Sequence, residues 1–105
     1  MSIVLKALAD PTRRRILELL KQREMTAGEL AAQFDLAKPT LSGHFAVLRE
    51  ADLVEAEKHG TSITYRLKLS VLEEALLELA GLFGIGLDRA ATAPAATPGM
   101  KEPTP

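Results

Sequence analysis

Apolar residues recur at helical spacing through the first half of the chain. Ile3, Val4, Leu5, Ala7 and Leu8 predict a short first helix. Asp10-Pro11 pairs an N-cap residue with one suited to the first helical position, and Ile16, Leu17, Leu19 and Leu20 then form the apolar side of a second helix ending near Lys21. The chain restarts at Thr26, where Thr-Ala-Gly-Glu has the spacing of a capping box, and Leu30, Ala31 and Phe34 supply a buried side. Asp35 and Leu36 leave room only for a tight turn before a further helix over residues 38–50, in which Leu41, Phe45 and Leu48 face inward. The period then changes. Val54 and Ala56 alternate with polar residues, as do Ile63, Tyr65 and Leu67, with Lys58-His59-Gly60-Thr61-Ser62 between them as the turn of an antiparallel hairpin. Ser70 and Glu73 repeat the capping-box spacing and open a last helix whose Leu72, Ala75, Leu76, Leu79, Ala80 and Phe83 cover one broad side, extended by Leu77, Leu82 and Ile85. An apolar surface this wide predicts two contacts, one with its own domain and one with another chain. Gly81, Gly84 and Gly86 predict fraying after about Gly84.

The expected fold is mainly α with a small β-hairpin wing: a winged helix-turn-helix. From Ala90 onward the sequence reads AATAPAATPGMKEPTP, which holds four of the six prolines and no apolar period. A domain over residues 1–89 followed by a disordered tail over 90–105 is therefore expected. A folded segment this small often gains stability from a partner subunit.

Composition removes several classes of function. With no cysteine there is no disulfide framework, thiolate metal site or cysteine nucleophile. His44 and His59 are the only imidazoles, and three phenylalanines with one tyrosine are too few for a platform that stacks single-stranded bases. No apolar run reaches the roughly 18 residues of a membrane span, and the amino terminus has no signal-peptide pattern, so a cytoplasmic protein is expected. Ser42 and His44 lie two apart on a helix and do not face each other, and no phosphate-cradling glycine loop is present, so no enzyme and no cofactor are expected. The net charge of −1 conceals an uneven distribution: residues 1–23 carry +4, and residues 69–105 carry −3. The front half is the side expected to face an anion.

The runs ALADPTRRRILELL and MTAGELAAQFDLAKPTLSGHFAVLREADLV, followed by a short hairpin, closely resemble the ArsR/SmtB family of bacterial transcriptional repressors, over residues 3 to about 83. Within that family the chain is most similar to the autorepressor branch that lacks the cysteine metal box. The resemblance implies a homodimer built through the first and last helices, which here offer Ile3, Val4, Leu5 and Leu8 from one and Leu72, Leu76, Leu79 and Phe83 from the other. It also implies two recognition helices entering successive major grooves of double-stranded DNA at an imperfect inverted repeat, with repression of the chain's own or a neighbouring operon.

On a helix over 38–50, Pro39, Gly43, Ala46 and Glu50 oppose the apolar side, and Thr40 and Ser42 flank the exposed side near its amino end. That end meets base edges in helix-turn-helix proteins, so Lys38, Thr40, Ser42 and His44 are the candidate reading residues. His44 falls at the margin of the buried side, where a local bond and a DNA contact are equally open readings. Gly43 supplies no side chain for readout, which is compatible with close backbone approach or with recognition of groove shape. Ala37 stands where the family commonly has a capping serine. Lys58, His59 and Thr61 at the wing, and Arg49, are candidate phosphate or minor-groove contacts, with Arg14 and Arg15 as further cations. Arg13, in the DPTR run, is instead a candidate for a structural pairing with a carboxylate. The metal-sensing cysteines of other members are absent, and Glu73, Glu74 and Glu78 read as a solvated face, so no metal is expected. The alternatives are a regulator that needs a protein co-regulator, a protein-interaction module, and a repressor responsive to a metal held without cysteine.

Overall fold

The computed structural model describes residues 2–86, so the segment read as a disordered tail lies outside the described residues. The described residues fall into two compact units, one ending at Ala75 and the other beginning at Leu76.

Helix α1 spans Ser2–Leu8 and α2 spans Pro11–Gln22. Asp10 is extended at φ −92°, ψ 130°, and its Oδ2 accepts the Arg13 amide at 3.0 Å, with Pro11 next in line as the sequence predicts. From α2, Ile16, Leu17 and Leu20 are buried. Thr26 closes the expected capping box: its Oγ1 accepts the Glu29 amide at 3.0 Å, and its own amide donates to Glu29 Oε1 at 2.9 Å. The backbone bond from Thr26 holds the Glu29 carboxyl below its ordinary range, aided by the charge of Arg23. Helix α3 is only Ala27–Ala31, because tight bonds from Gln33 to Leu30 O and from Phe34 to Ala31 O end it before Phe34.

Helix α4, Lys38–Glu50, buries Leu41, Phe45 and Leu48. Its end is closed by Asp52 at φ 62°, with the Asp52 amide on Arg49 O at 2.9 Å and the Leu53 amide on Leu48 O at 3.0 Å. These two bonds satisfy carbonyls that the helix leaves open, in a left-handed turn usually given to glycine. Lys68 Nζ, 2.8 Å from Asp52 Oδ1, holds the carboxylate there.

The hairpin pairs β2 (Val54–His59) with β3 (Ser62–Leu67) across the two-residue turn Gly60-Thr61, where Gly60 takes φ +61°. The sheet has a third strand that the hydrophobic pattern did not predict: β1, Met25–Thr26, pairs antiparallel with β3, giving the order β1-β3-β2. Tyr65 in the central strand lies against Phe45 of α4, ring centroids 4.6 Å apart at 34°. Burial pushes the Tyr65 phenol up from its ordinary range. Ile16, Leu30, Leu48 and Leu53 are the largest fully buried side chains, so helices, turn and sheet share one core.

Helix α5 spans Leu69–Leu82, and Val71, Leu72 and Ala75 pack against that core. The helix starts one residue before Ser70, which therefore lies within the first turn and is not the predicted cap; amides of Val71 and Leu72 reach Lys68 O instead. In the second unit, α5 ends in a left-handed turn at the point where fraying is expected. Gly84 takes φ +70°, its amide bonds Gly81 O, and the Ile85 amide bonds Ala80 O at 2.8 Å.

Candidate nucleic-acid interface

The amino-terminal half of α4 presents the polar residues that the pattern placed there. Lys38, Pro39, Thr40, Ser42 and Gly43 are exposed, while Leu41 and Phe45 between and beyond them anchor the helix to the core. Arg49 is exposed at the carboxyl end of the same helix. Ala37 is extended at φ −64°, ψ 146°, the geometry of an N-cap, but offers no side-chain bond, so Pro39 within the first turn is the local start signal. A Cβ at Gly43 would have no neighbour within 4 Å, so intramolecular packing does not require glycine there.

His44 is set apart from these residues. Its side chain is only 16% exposed, and Nδ1 lies 3.1 Å from Arg13 Nη1 and 3.9 Å from Asp10 Oδ2. Arg13 has the structural role anticipated for it, with other partners. It donates to Ala7 O at 2.7 Å and Lys6 O at 2.9 Å, both main-chain carbonyls, and to the His44 ring. Burial raises the Asp10 carboxyl, but the bonds from the Arg13 and Thr12 amides and the positive charge of Arg13, with that of His44 when it is protonated, outweigh it and hold the group below its ordinary range.

At the wing, Lys58, His59, Gly60 and Thr61 are all exposed. His59 Nε2 sits 3.4 Å from Glu57 Oε2. Below the tip, a carboxylate cluster that the sequence reading missed surrounds one cation: Arg66 bonds Glu24 at 2.7 Å, Glu55 at 3.4 Å, and Glu57. The side-chain bond from Arg66 pulls the Glu57 carboxyl below its ordinary range, and Glu57 and Glu24 in turn push the guanidinium up. The signal lay in alternation, since Glu55 and Glu57 share a strand face two apart, but their partners come from elsewhere in the sequence.

Local bonds also occupy the arginines of α2. Arg14 donates to Leu8 O at 2.9 Å and Ala9 O at 3.1 Å, and Arg15 pairs with Glu18. Lys38, Arg49 and Lys58 make no ion pair among the described residues, and neither do the exposed Lys6 and Lys21; the first three are the ones carried by α4 and the wing. A hollow of about 210 Å³ between α3 and α4, lined by Ala27, Gly28, Leu41 and Phe45 among others, is smaller than the ~300 Å³ at which small-molecule sites begin. Among the described residues no three His, Asp or Glu side chains gather as a metal site would need, and no helix is long and apolar enough to cross a membrane.

The candidate dimer residues separate by exposure. On α1, Ile3 and Leu5 are 40% and 38% exposed, whereas Val4 is buried in the core of its own chain and Leu8 packs partly against it. Leu72 also packs on that core; in the second unit Leu76 and Phe83 are exposed and Leu79 is half-buried.

Comparison with known proteins gives a consistent result. The family described as "Bacterial regulatory protein, arsR family" matches residues 10–56, from the cap of α2 into β2. The transcriptional repressor SdpR of Bacillus subtilis (strain 168) is 42% identical over 76 residues, covering 72% of this chain and 84% of that protein. Among solved structures, one titled as a possible transcriptional regulator for arsenical resistance is 40% identical at a TM-score of 0.68, covering 78% of this chain and 84% of its own. The transcriptional repressor BigR from Xylella fastidiosa is 33% identical at a TM-score of 0.63, over 78% of this chain and 84% of its own.

Proposed function

The chain belongs to the arsR family of bacterial regulatory proteins and is a DNA-binding transcriptional repressor and not an enzyme; from that premise we propose that it acts as a homodimer on an imperfect inverted repeat in its own or a neighbouring operon. The observation that carries this reading is the exposed amino end of α4, where Lys38, Thr40 and Ser42 surround a helix fixed from behind by Leu41 and by Phe45 against Tyr65. A rigid helix with polar side chains at its leading end can hold donors and acceptors at the spacing of base edges. Gly43 leaves the middle of that face flat, which favours close approach of the helix and reading of groove shape as well as bases. Lys38, Arg49 and Lys58 supply phosphate contacts, with His59 and Thr61 beside them at the wing. The protein works where its DNA is, in the cytoplasm.

A two-fold dimer presents this surface twice, so half-sites about one helical turn apart are expected. Three cations per protomer correspond to about six phosphates per dimer and a slope of log affinity against log salt of about −5. Fluorescence anisotropy with the full chain, its own upstream DNA and a scrambled duplex, repeated over several salt concentrations, tests the proposal. Preferential binding of the upstream fragment with that slope is the expected result. Equally weak, salt-labile binding to both duplexes would overturn autonomous repression in favour of a regulator that needs a partner.

A further inference from the structure

Arg13 uses all three guanidinium nitrogens at the corner between α1 and α2. Nη2 and Nε hold the Lys6 and Ala7 carbonyls in the last turn of α1, where the Lys6 carbonyl also accepts the Ala9 amide at 3.3 Å. Nη1 reaches across to Nδ1 of His44 on α4 at 3.1 Å. A guanidinium only donates, so Nδ1 must accept, which requires a neutral imidazole with its proton on Nε2. Leu41, Phe45 and Leu48 pack α4 into the core, and such apolar contacts are non-directional. The Arg13–His44 bond is directional, and it acts within two residues of Ser42 and next to Gly43.

We propose that Arg13 and His44 form a latch that sets the angle at which α4 presents its reading end, so that His44 is a positioning residue and not a base-reading one, and that the latch holds only while the imidazole is neutral. The inference rests on the DNA-reading role assigned above. The charged groups that face the ring are Arg13 from α2 and Asp10 from the turn before it; α1 contributes carbonyls, and its Lys6 lies with Glu50 of α4 in a separate groove. A proton on Nδ1 would confront the Arg13 cation and turn the ring toward Asp10, 3.9 Å away, breaking the bond to α1–α2. The sign of the effect is distinctive. Added positive charge alone tightens DNA binding on acidification, whereas release of the latch weakens it.

The test compares the full chain with Arg13→Lys, His44→Asn and His44→Phe for binding to upstream and scrambled DNA at fixed salt, near about pH 7.5 and about pH 5.5. Far-UV circular dichroism and thermal melts establish that each variant is folded. Asn keeps an acceptor and should bind upstream DNA within about threefold of the parent at neutral pH, whereas Lys at position 13 and Phe at position 44 should lose about tenfold for upstream DNA with little change on the scrambled duplex. Relative to His44→Asn, the parent should weaken about tenfold on acidification, and this comparison cancels the contribution of His59. Unchanged upstream affinity in His44→Phe would overturn the proposal. So would parent binding that tightens relative to His44→Asn at low pH, or an Asn variant that loses preference at a single base pair, which marks a base reader. Long-range proton–nitrogen correlations of the imidazole without DNA provide a separate readout: Nδ1 should be unprotonated in the parent and released in Arg13→Lys. If that signature is present while no version prefers upstream DNA, the DNA-reading role fails and the latch stands; if Nδ1 carries the proton at neutral pH, the latch fails whatever the DNA result.

Discussion

Gly43, Gly60 and Asp52 illustrate three different reasons for a residue's identity. Gly60 holds φ +61° in a two-residue hairpin turn, where a side chain would be strained. Asp52 takes a similar φ of 62° without being glycine, and a bond from Lys68 offsets part of that cost. Gly43 has neither excuse: it is helical, exposed and open on the side where a Cβ would stand. Intramolecular stability therefore argues against glycine, by about 0.5–1 kcal/mol relative to alanine. The expected outcome for Gly43→Ala is a higher melting temperature, by roughly 3–6 °C for a domain of this size, together with weaker binding to upstream DNA, because in the proposed complex the added methyl occupies the face toward the duplex. Thermal melts and anisotropy on the same preparation check both halves. A variant that is more stable and binds as tightly would remove Gly43 from the interface.

At the scale of elements, the chain signals its helix starts with unequal clarity. Asp10 with Pro11 and Thr26 with Glu29 were legible because capping is local: both partners lie within one turn of each other in the sequence, and both form the bonds their spacing implies. The start of α4 lacks this device, since Ala37 has cap geometry and no acceptor. Ala37→Ser should supply the missing bond and raise stability by about 1 kcal/mol, measured by denaturant unfolding; no gain would mean that the first amides of α4 already have partners as good. The elements that escaped the sequence are those fixed from a distance. A two-residue strand such as β1 carries no detectable period, and its existence depends on Tyr65 and Thr64 of β3 as pairing partners. Ser70 and Glu73 matched a capping box in spacing, yet the backbone enters α5 earlier, through Lys68, whose own amide is fixed to Leu53 O at 2.8 Å. The guanidinium of Arg13 was expected to seek a carboxylate and instead takes two carbonyls and an imidazole 31 positions away, which no local pattern encodes. The exposed polar face at the start of α4 was legible because exposure there follows from helical periodicity alone, whereas the inward turn of His44 depends on which neighbour the fold brings to it.

For the molecule as a whole, the distribution of charge and apolar surface favours a partner of its own kind. The wing carries an acidic cluster around Arg66, and local bonds occupy several of the amino-terminal arginines, so few cations per chain remain for DNA. One copy would therefore bind weakly, and doubling the surface through two-fold symmetry is the economical route to a specific site. On α1 the residues divide cleanly for a test, because neighbours in sequence have different environments: Val4 is in the core of its own chain at 9% exposure, and Leu5 is exposed. Leu5→Glu should leave the fold intact, with a change in unfolding free energy within about 0.5 kcal/mol of the parent as for other surface substitutions. In the proposed dimer it would bury an unpaired carboxylate in the seam, which costs several kcal/mol per site and should separate the subunits. Sedimentation velocity is expected to show a monomer, and upstream DNA should then bind no better than a scrambled duplex because only one half-site is engaged at a time. Val4→Glu is the contrasting variant: it places the same charge in the core and should unfold the chain outright, so loss of DNA binding there carries no information about assembly. A Leu5→Glu protein that remains dimeric and retains its preference for upstream DNA would remove this part of α1 from the seam.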